Sequence, residues 1–432
     1  MIRHRCWKAP DTRRTKHTLD IMVEELDGGL WVAATEGGRL DGLEVDPSAE
    51  EVRWGAVYWA RVSRIDKALD ATFVDLDGKN EGILFNADVR IFNKKTGEIY
   101  KGGSESIGKK IKNGDMIAVQ AKSGYLRHET DFDFAREDKN TKVSMDITLP
   151  GRFLIYAPFM DKNEVSSRIR NKDLRAQMMK MMKEFEPLKG LILRASSEDT
   201  QMDILLREAK LLQSSWDAIQ PHFTGDKPKL ILQGADSFQR TIGDQAGRNI
   251  ERIEIVTMDR YKQIEEWCEL FGPDLVPKIV PVELEDPNAE LALFEHRGIL
   301  GDIEDLFQDY GLLTSGGSII IQQTSALTAI DVNRGGDDRS AMEINLEAAA
   351  EIARQIRLRN IGGIILIDFL KFTKKTEQTK LIKALEPIFD TDPCTVQIHG
   401  MTALGLLELT RKRRTPPLRE RLDNVESLNT GQ

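Results

Sequence analysis

LTAIDVN (residues 327–333) leads through a short glycine-bearing turn into INLEAAAEIARQIRLRN (344–360), which is followed by IGGIILIDFLKF (361–372). Thr328 to Val332 and Ile364 to Phe369 are β-branched and apolar enough for buried parallel strands. Each run ends in one aspartate, Asp331 and Asp368. Between them Ala349, Ile352 and Ile356 recur at helical spacing, with Asn345 as the expected N-cap and Asn360, Gly362 and Gly363 as the stop. The unit is strand–helix–strand, and it sets both carboxylates at the edge where open α/β sheets place their sites. One strand-end aspartate usually caps the next element. Two converging through one crossover suit a hard divalent cation, Mg²⁺ or Mn²⁺, that keeps several waters. Asn333 lies two residues beyond Asp331, on the same strand face.

The same residues carry a family resemblance. TAIDVN, the RGGD after it, NLEAAAEIARQIRLRNIGGIILIDF and LGLLELTRKR (404–413) are similar to the catalytic core of the RNase E/G family of bacterial endoribonucleases. The resemblance is dense here and extends more thinly from about Leu19 to Leu418. It implies a multidomain α/β (α+β) fold: an RNase H-like domain with an inserted OB-type RNA-binding barrel, a small 5′-end pocket domain and a DNase I-like catalytic subdomain. The implied boundaries are a basic tail at 1–18, the RNase H-like domain in two segments at 19–50 and 229–306, the barrel at 51–147, the pocket domain at 148–228, the catalytic subdomain at 307–420 and a tail at 421–432. It further implies that Asp331 and Asp368 bind Mg²⁺, which Mn²⁺ can replace, and that Asn333 helps orient the attacking water. The expected activity is hydrolysis of single-stranded RNA in RNA processing or decay. A non-catalytic RNA-binding protein of the same fold, acting in RNA or ribosome assembly, stays open as the alternative. The turn after Asn333 is shorter than the family's, and Ser325 and Lys371 stand at positions where the family is acidic.

Bulk composition fits either function. The chain has 432 residues, 40% hydrophobic and 30% charged, which implies several soluble globular units. Its formal net charge of −9 argues against indiscriminate coating of nucleic acid and leaves room for local basic patches. Cys6, Cys268 and Cys394 are scattered, in no metal-ligand spacing, as expected of a reducing, cytoplasmic compartment. Longer family members carry a cysteine zinc-binding segment after the core that pairs subunits. No such segment is present here, so no zinc is expected, and any homo-oligomer would form without a cysteine zinc link. No apolar run approaches the ~20 residues of a membrane span. The six histidines show no ligand spacing, and the glycine pairs fit turns, not a phosphate loop.

Along the chain, Leu19 to Glu44 alternates as a few strands. From Gly55, short alternating runs with turns at Asp77-Gly78 and Asn113-Gly114 point to an OB-type barrel. On that barrel Phe73 and Lys142 match the family's RNA-steering aromatic and lysine, while a second aromatic position is Ile83. Arg194 matches the arginine of the 5′-phosphate pocket, where a planar fork suits a phosphate. The hydroxyl position beside it is Ala195, and two further donor positions fall on Ser167, next to Arg168, and on Ala403. Lys229 to Val256 and Ile279 to Val282 supply further strands, and Leu291 to Tyr310 reads as a helix. In TRKRRTPPLRER (410–421), Arg411, Lys412 and Arg413 are candidates to hold RNA phosphates. With Phe73, Lys142, Arg168 and Arg194 they complete the expected RNA contacts.

Overall fold

The computed structural model describes residues 18–48, 50–92, 99–102, 105–126, 141–169, 171–286, 289–372 and 375–422. The basic tail up to residue 17, with Cys6, and most of the 421–432 tail lie outside them.

Residues 327–372 form the expected unit. Strands Leu327–Asn333 and Gly363–Asp368 pair in parallel across the helix Ala341–Leu358. They sit at the centre of a six-stranded sheet ordered 310–312, 318–323, 327–333, 363–368, 407–411, 396–401, whose other neighbours are antiparallel. One face packs Ile330, Val332, Ile365 and Ile367 against Ile352 and Ile356 of the crossover helix and Leu381 and Leu385 of the helix Lys375–Phe389. The other face is open, and this corrects the expectation of strands buried on both sides. In Leu327–Asn333 the buried residues are Thr328, Ile330 and Val332, while Asp331 and Asn333 are exposed. Helices cover one layer only, so the strands alternate.

The helix begins one turn earlier than expected. Ser340 is its N-cap, in a reciprocal capping box with Glu343, and Asn345 lies inside the helix, fully buried. At its other end Asn360 takes φ +49°, its N–H reaches the Arg357 carbonyl, and the Ile361 N–H reaches the Ile356 carbonyl. That pair of hydrogen bonds closes the helix with a Schellman turn.

Strands Val57–Asp66, Ala71–Asp75, Glu81–Phe85, Met116–Ala121 and Thr141–Ser144 form a closed barrel, sealed where 116–121 pairs with 57–66. This is consistent with an OB-like domain. Val62, Val74, Leu84, Val119 and Val143 fill its interior. Strand Lys229–Leu232 pairs with the barrel strand 57–66. It was expected in the sheet that holds the chain's first strands. That sheet has five strands in the order 279–281, 249–255, 18–26, 29–36, 39–46; the first three run parallel and the last three antiparallel. The expected helix over 291–310 is two short helices, Ala292–His296 and Leu300–Glu304, separated at Gly298, whose φ of +70° breaks the helical path.

A small sheet of 149–150, 154–156, 164–165 and 191–193 packs with helices Lys172–Met181 and Met202–Ile219. Glu208 of the second helix is buried, and its carboxylate accepts the N–H groups of Arg152 (2.5 Å), Phe153 (3.0 Å) and Leu154 (2.9 Å).

Candidate functional site

Parallel pairing puts Asp331 directly opposite Asp368. Both are exposed on the open sheet face, and no Lys or Arg among the described residues forms an ion pair with either. The Asn333 side-chain amide donates to Asp331 Oδ2 at 2.9 Å. The site therefore holds two un-neutralised oxygen donors side by side with an amide within reach. That set fits Mg²⁺ or Mn²⁺, which need one or two carboxylates and take water for the rest. Among the described residues no group of three or more His, Cys, Asp or Glu is placed to hold a metal ion.

The backbone around the pair is braced. Arg334 donates to the carbonyls of Asp337 (3.0 Å) and Arg339 (2.6 Å), folding the turn after Asn333 onto itself. Gly335, at φ +59°, passes so close that a Cβ would lie 2.4 Å from the Gly316 carbonyl oxygen, and no other residue fits there. After Asp368, the buried Asn345 amide donates to the Leu370 carbonyl and accepts the Leu370 N–H, each at 2.9 Å. Sequence reasoning missed this clamp because a helix-start asparagine looks like a cap. Its signal is a polar residue on the apolar face of the helix.

On the barrel, Arg64, Phe73, Ile83 and Lys142 are consecutive cross-strand partners in one row. Lys142 is exposed. Phe73 lies outside the barrel's core cluster and is nonetheless only 8% exposed, because Arg64 lies over its ring, Cζ 3.9 Å from the centroid. The ring faces outward, and it is not the bare stacking surface expected.

The small-domain and C-terminal cations divide. Arg194 Nη1 donates to the Gly151 carbonyl at 2.8 Å, and Nη2 lies 3.9 Å from Asp244, itself paired with Arg414. Burial pushes the Arg194 pKa down, and Asp244 opposes this. The Arg168 guanidinium donates to the carbonyls of Pro393 (2.7 Å), Cys394 (2.9 Å) and Asp392, joining the small domain to the six-stranded sheet's loop. Three of its hydrogen bonds thus go to the chain's own backbone, while the side chain stays exposed. Arg411 is corrected as an RNA contact: it is 3% exposed and pairs with buried Asp392, Nε to Oδ2 at 2.9 Å. Lys412 and Arg413 remain exposed at the surface. His399 is exposed and bonds to Thr410 at 3.0 Å.

Fold and site together define a mixed α/β protein with two paired carboxylates on an open sheet face and, on a closed barrel, an outward row that carries Arg64 and Lys142. The ribonuclease E/G family profile matches residues 148–414, more than half of the chain, and the chain belongs to that family. It is 30% identical over 400 residues to ribonuclease E of Haemophilus influenzae, covering 90% of this chain and 41% of that protein. With ribonuclease G of Escherichia coli it shares 28% identity over 418 residues, 94% of this chain and 82% of that protein. With ribonuclease E of Synechocystis sp. it shares 29% over 394 residues, 88% and 55% respectively. The chain thus spans about half the length of these ribonuclease E relatives and most of the ribonuclease G. Among the described residues no helix is long and apolar enough to cross a membrane.

Proposed function

We propose that this protein is an endoribonuclease that hydrolyses single-stranded RNA in RNA processing or decay, with Asp331 and Asp368 as the ligands of a Mg²⁺ ion. The observation that carries this is the direct register of the two exposed carboxylates on a family-matched chain. A magnesium ion held by the pair would make water a better nucleophile and offset charge developing on the phosphate. Asp331 and Asp368 would bind it through their carboxylate oxygens. Asn333, anchored to Asp331, presents the rest of its amide to water or the scissile phosphate and fixes its orientation there. The brace at Arg334 and the Asn345 clamp keep these side chains in place through catalysis. Lys142, Lys412 and Arg413 are exposed cations suited to the RNA backbone, positioning it without reading sequence. The five-stranded sheet, with its order 3-2-1-4-5 and its last two strands parallel to the first, supports an RNase H-like reading of that unit.

Attack by water leaves a 5′-phosphate and a 3′-hydroxyl, whereas attack by the ribose 2′-hydroxyl leaves a 2′,3′-cyclic phosphate. The test is cleavage of an end-labelled single-stranded RNA with and without Mg²⁺, followed by end-group analysis. Cyclic ends, or equal cleavage in EDTA, would refute the reading. A non-catalytic RNA-binding role has one observation in its favour: Lys371, three residues past Asp368 and exposed, brings a cation where the family is acidic. Binding of the same RNA with no cleavage at any Mg²⁺ concentration would favour that role.

A further inference from the structure

We propose that the nucleobase platform on the barrel is the guanidinium of Arg64, held on top of Phe73, and that an unstacked base of single-stranded RNA lies on its outward side. This rests on the reading that single-stranded RNA is the substrate. Phe73 points outward from the barrel yet is 8% exposed, so a base cannot reach its ring without displacing what lies over it. What lies over it is planar, cationic and exposed, and no carboxylate among the described residues pairs with it.

The position of Arg64 follows from the strand. A register irregularity between Val62 and Arg64 brings Arg64 opposite Phe73, and Phe73 faces Ile83, which faces Lys142. The row therefore runs from a guanidinium through an apolar shelf to an ammonium. Guanidinium is weakly hydrated and stacks on planar π systems, so it accepts a base on one side while the ring supports the other. The ring beneath also holds the side chain in place before RNA arrives, which removes some of the ordering cost of binding. Lys142, a point charge at the other end of the row, suits the phosphate that follows the stacked base. Ile83 supplies apolar contact between the two, where an aromatic would have supplied a second face.

The test separates planarity from charge. Binding of a fluorescein-labelled 12-nucleotide single-stranded RNA to the full chain is followed by anisotropy in EDTA, where no cleavage is needed, at several salt concentrations. Arg64→Lys keeps the charge and loses the plane; it should weaken binding about tenfold, within the range of one stacked base, with an unchanged salt slope. Arg64→Ala should weaken it at least as much and reduce the log K against log salt slope by about 0.7. Phe73→Leu keeps an apolar support and should cost no more than about threefold. Melting curves of the two Arg64 variants should match wild type, since Arg64 is on the surface, and the Phe73→Leu affinity is read below the onset of that variant's own melting. Wild-type affinity in Arg64→Lys, or a larger loss in Phe73→Leu than in Arg64→Lys, would overturn the platform while leaving the ribonuclease reading intact. A wild-type chain that binds no single-stranded RNA at all would overturn both.

Discussion

Replacing Asp368 with Asn is expected to leave the metal-free protein as stable as wild type, or slightly more so, while removing its response to divalent cations. Asp368 and Asp331 are direct partners on neighbouring parallel strands, with exposed carboxylates. Unit charges at the strand spacing of ~4.8 Å repel by about 0.9 kcal/mol in water, and physiological salt reduces this to roughly half. Asn has nearly the same shape and removes the repulsion, so the gain is at most about 0.5–0.9 kcal/mol, a rise of no more than about 2 °C in Tm. The metal acts in the opposite direction. A cation at ten times its Kd stabilises the wild type by about 1.4 kcal/mol, and the variant, with one ligand missing, loses most of that. Thermal unfolding followed by circular dichroism in EDTA and in 10 mM MnCl₂, alongside cleavage of labelled RNA, reads both effects. If Asp368→Asn melts several degrees below wild type in EDTA, the carboxylate is a structural partner. A full metal-induced shift and full cleavage in the variant would remove it from the site.

Three further outcomes follow from the geometry. Asn345→Leu removes both side-chain partners of the half-buried Leu370 N–H and C=O, so denaturant titration should show a loss of about 1–3 kcal/mol, and the Mg²⁺ concentration for half-maximal cleavage should rise as Asp368 loosens. Burial alone would raise the pKa of Glu44, but Arg240, Arg414 and Arg421 around it hold it down to about 2 from 4.5. The folded value is depressed, so this group's stabilisation is fully present above about pH 4.5 and lost as pH falls towards 2; unfolding free energies of Glu44→Gln measured across that window should show a shallower slope than wild type. Finally, Arg194 is committed to the Gly151 carbonyl and lies near Asp244, and its expected hydroxyl partner is Ala195. Cleavage rates of otherwise identical RNAs with 5′-monophosphate and 5′-hydroxyl ends should agree within about tenfold, and a larger preference for the phosphate would show that a working pocket has been rebuilt from other residues.

The sequence by itself determined the strand–helix–strand unit that carries Asp331 and Asp368. Apolar β-branched runs, a helix of period 3.6 and a crossover too long for a hairpin leave Asp331 and Asp368 little choice but neighbouring strands, and the parallel register aligns them, although the open face of the sheet was not legible in those runs. The barrel strands were legible for the same reason: alternation and turn residues are local signals. Tertiary structure decided which groups are free to act. Arg411 and Lys412 are adjacent in sequence, yet one is buried against Asp392, nineteen residues away, and the other is exposed. Arg168 donates to carbonyls more than 220 residues distant. Asn345 became a clamp because Leu370 arrives beside it, and Ser340 took over the cap. Phe73 points outward as alternation requires, but the register irregularity before Arg64 lays a guanidinium over it. Periodicity is written in neighbours along the chain and can be read there. Whether a charge meets solvent or a partner depends on residues brought close only by folding, and a single sequence carries no local mark of them.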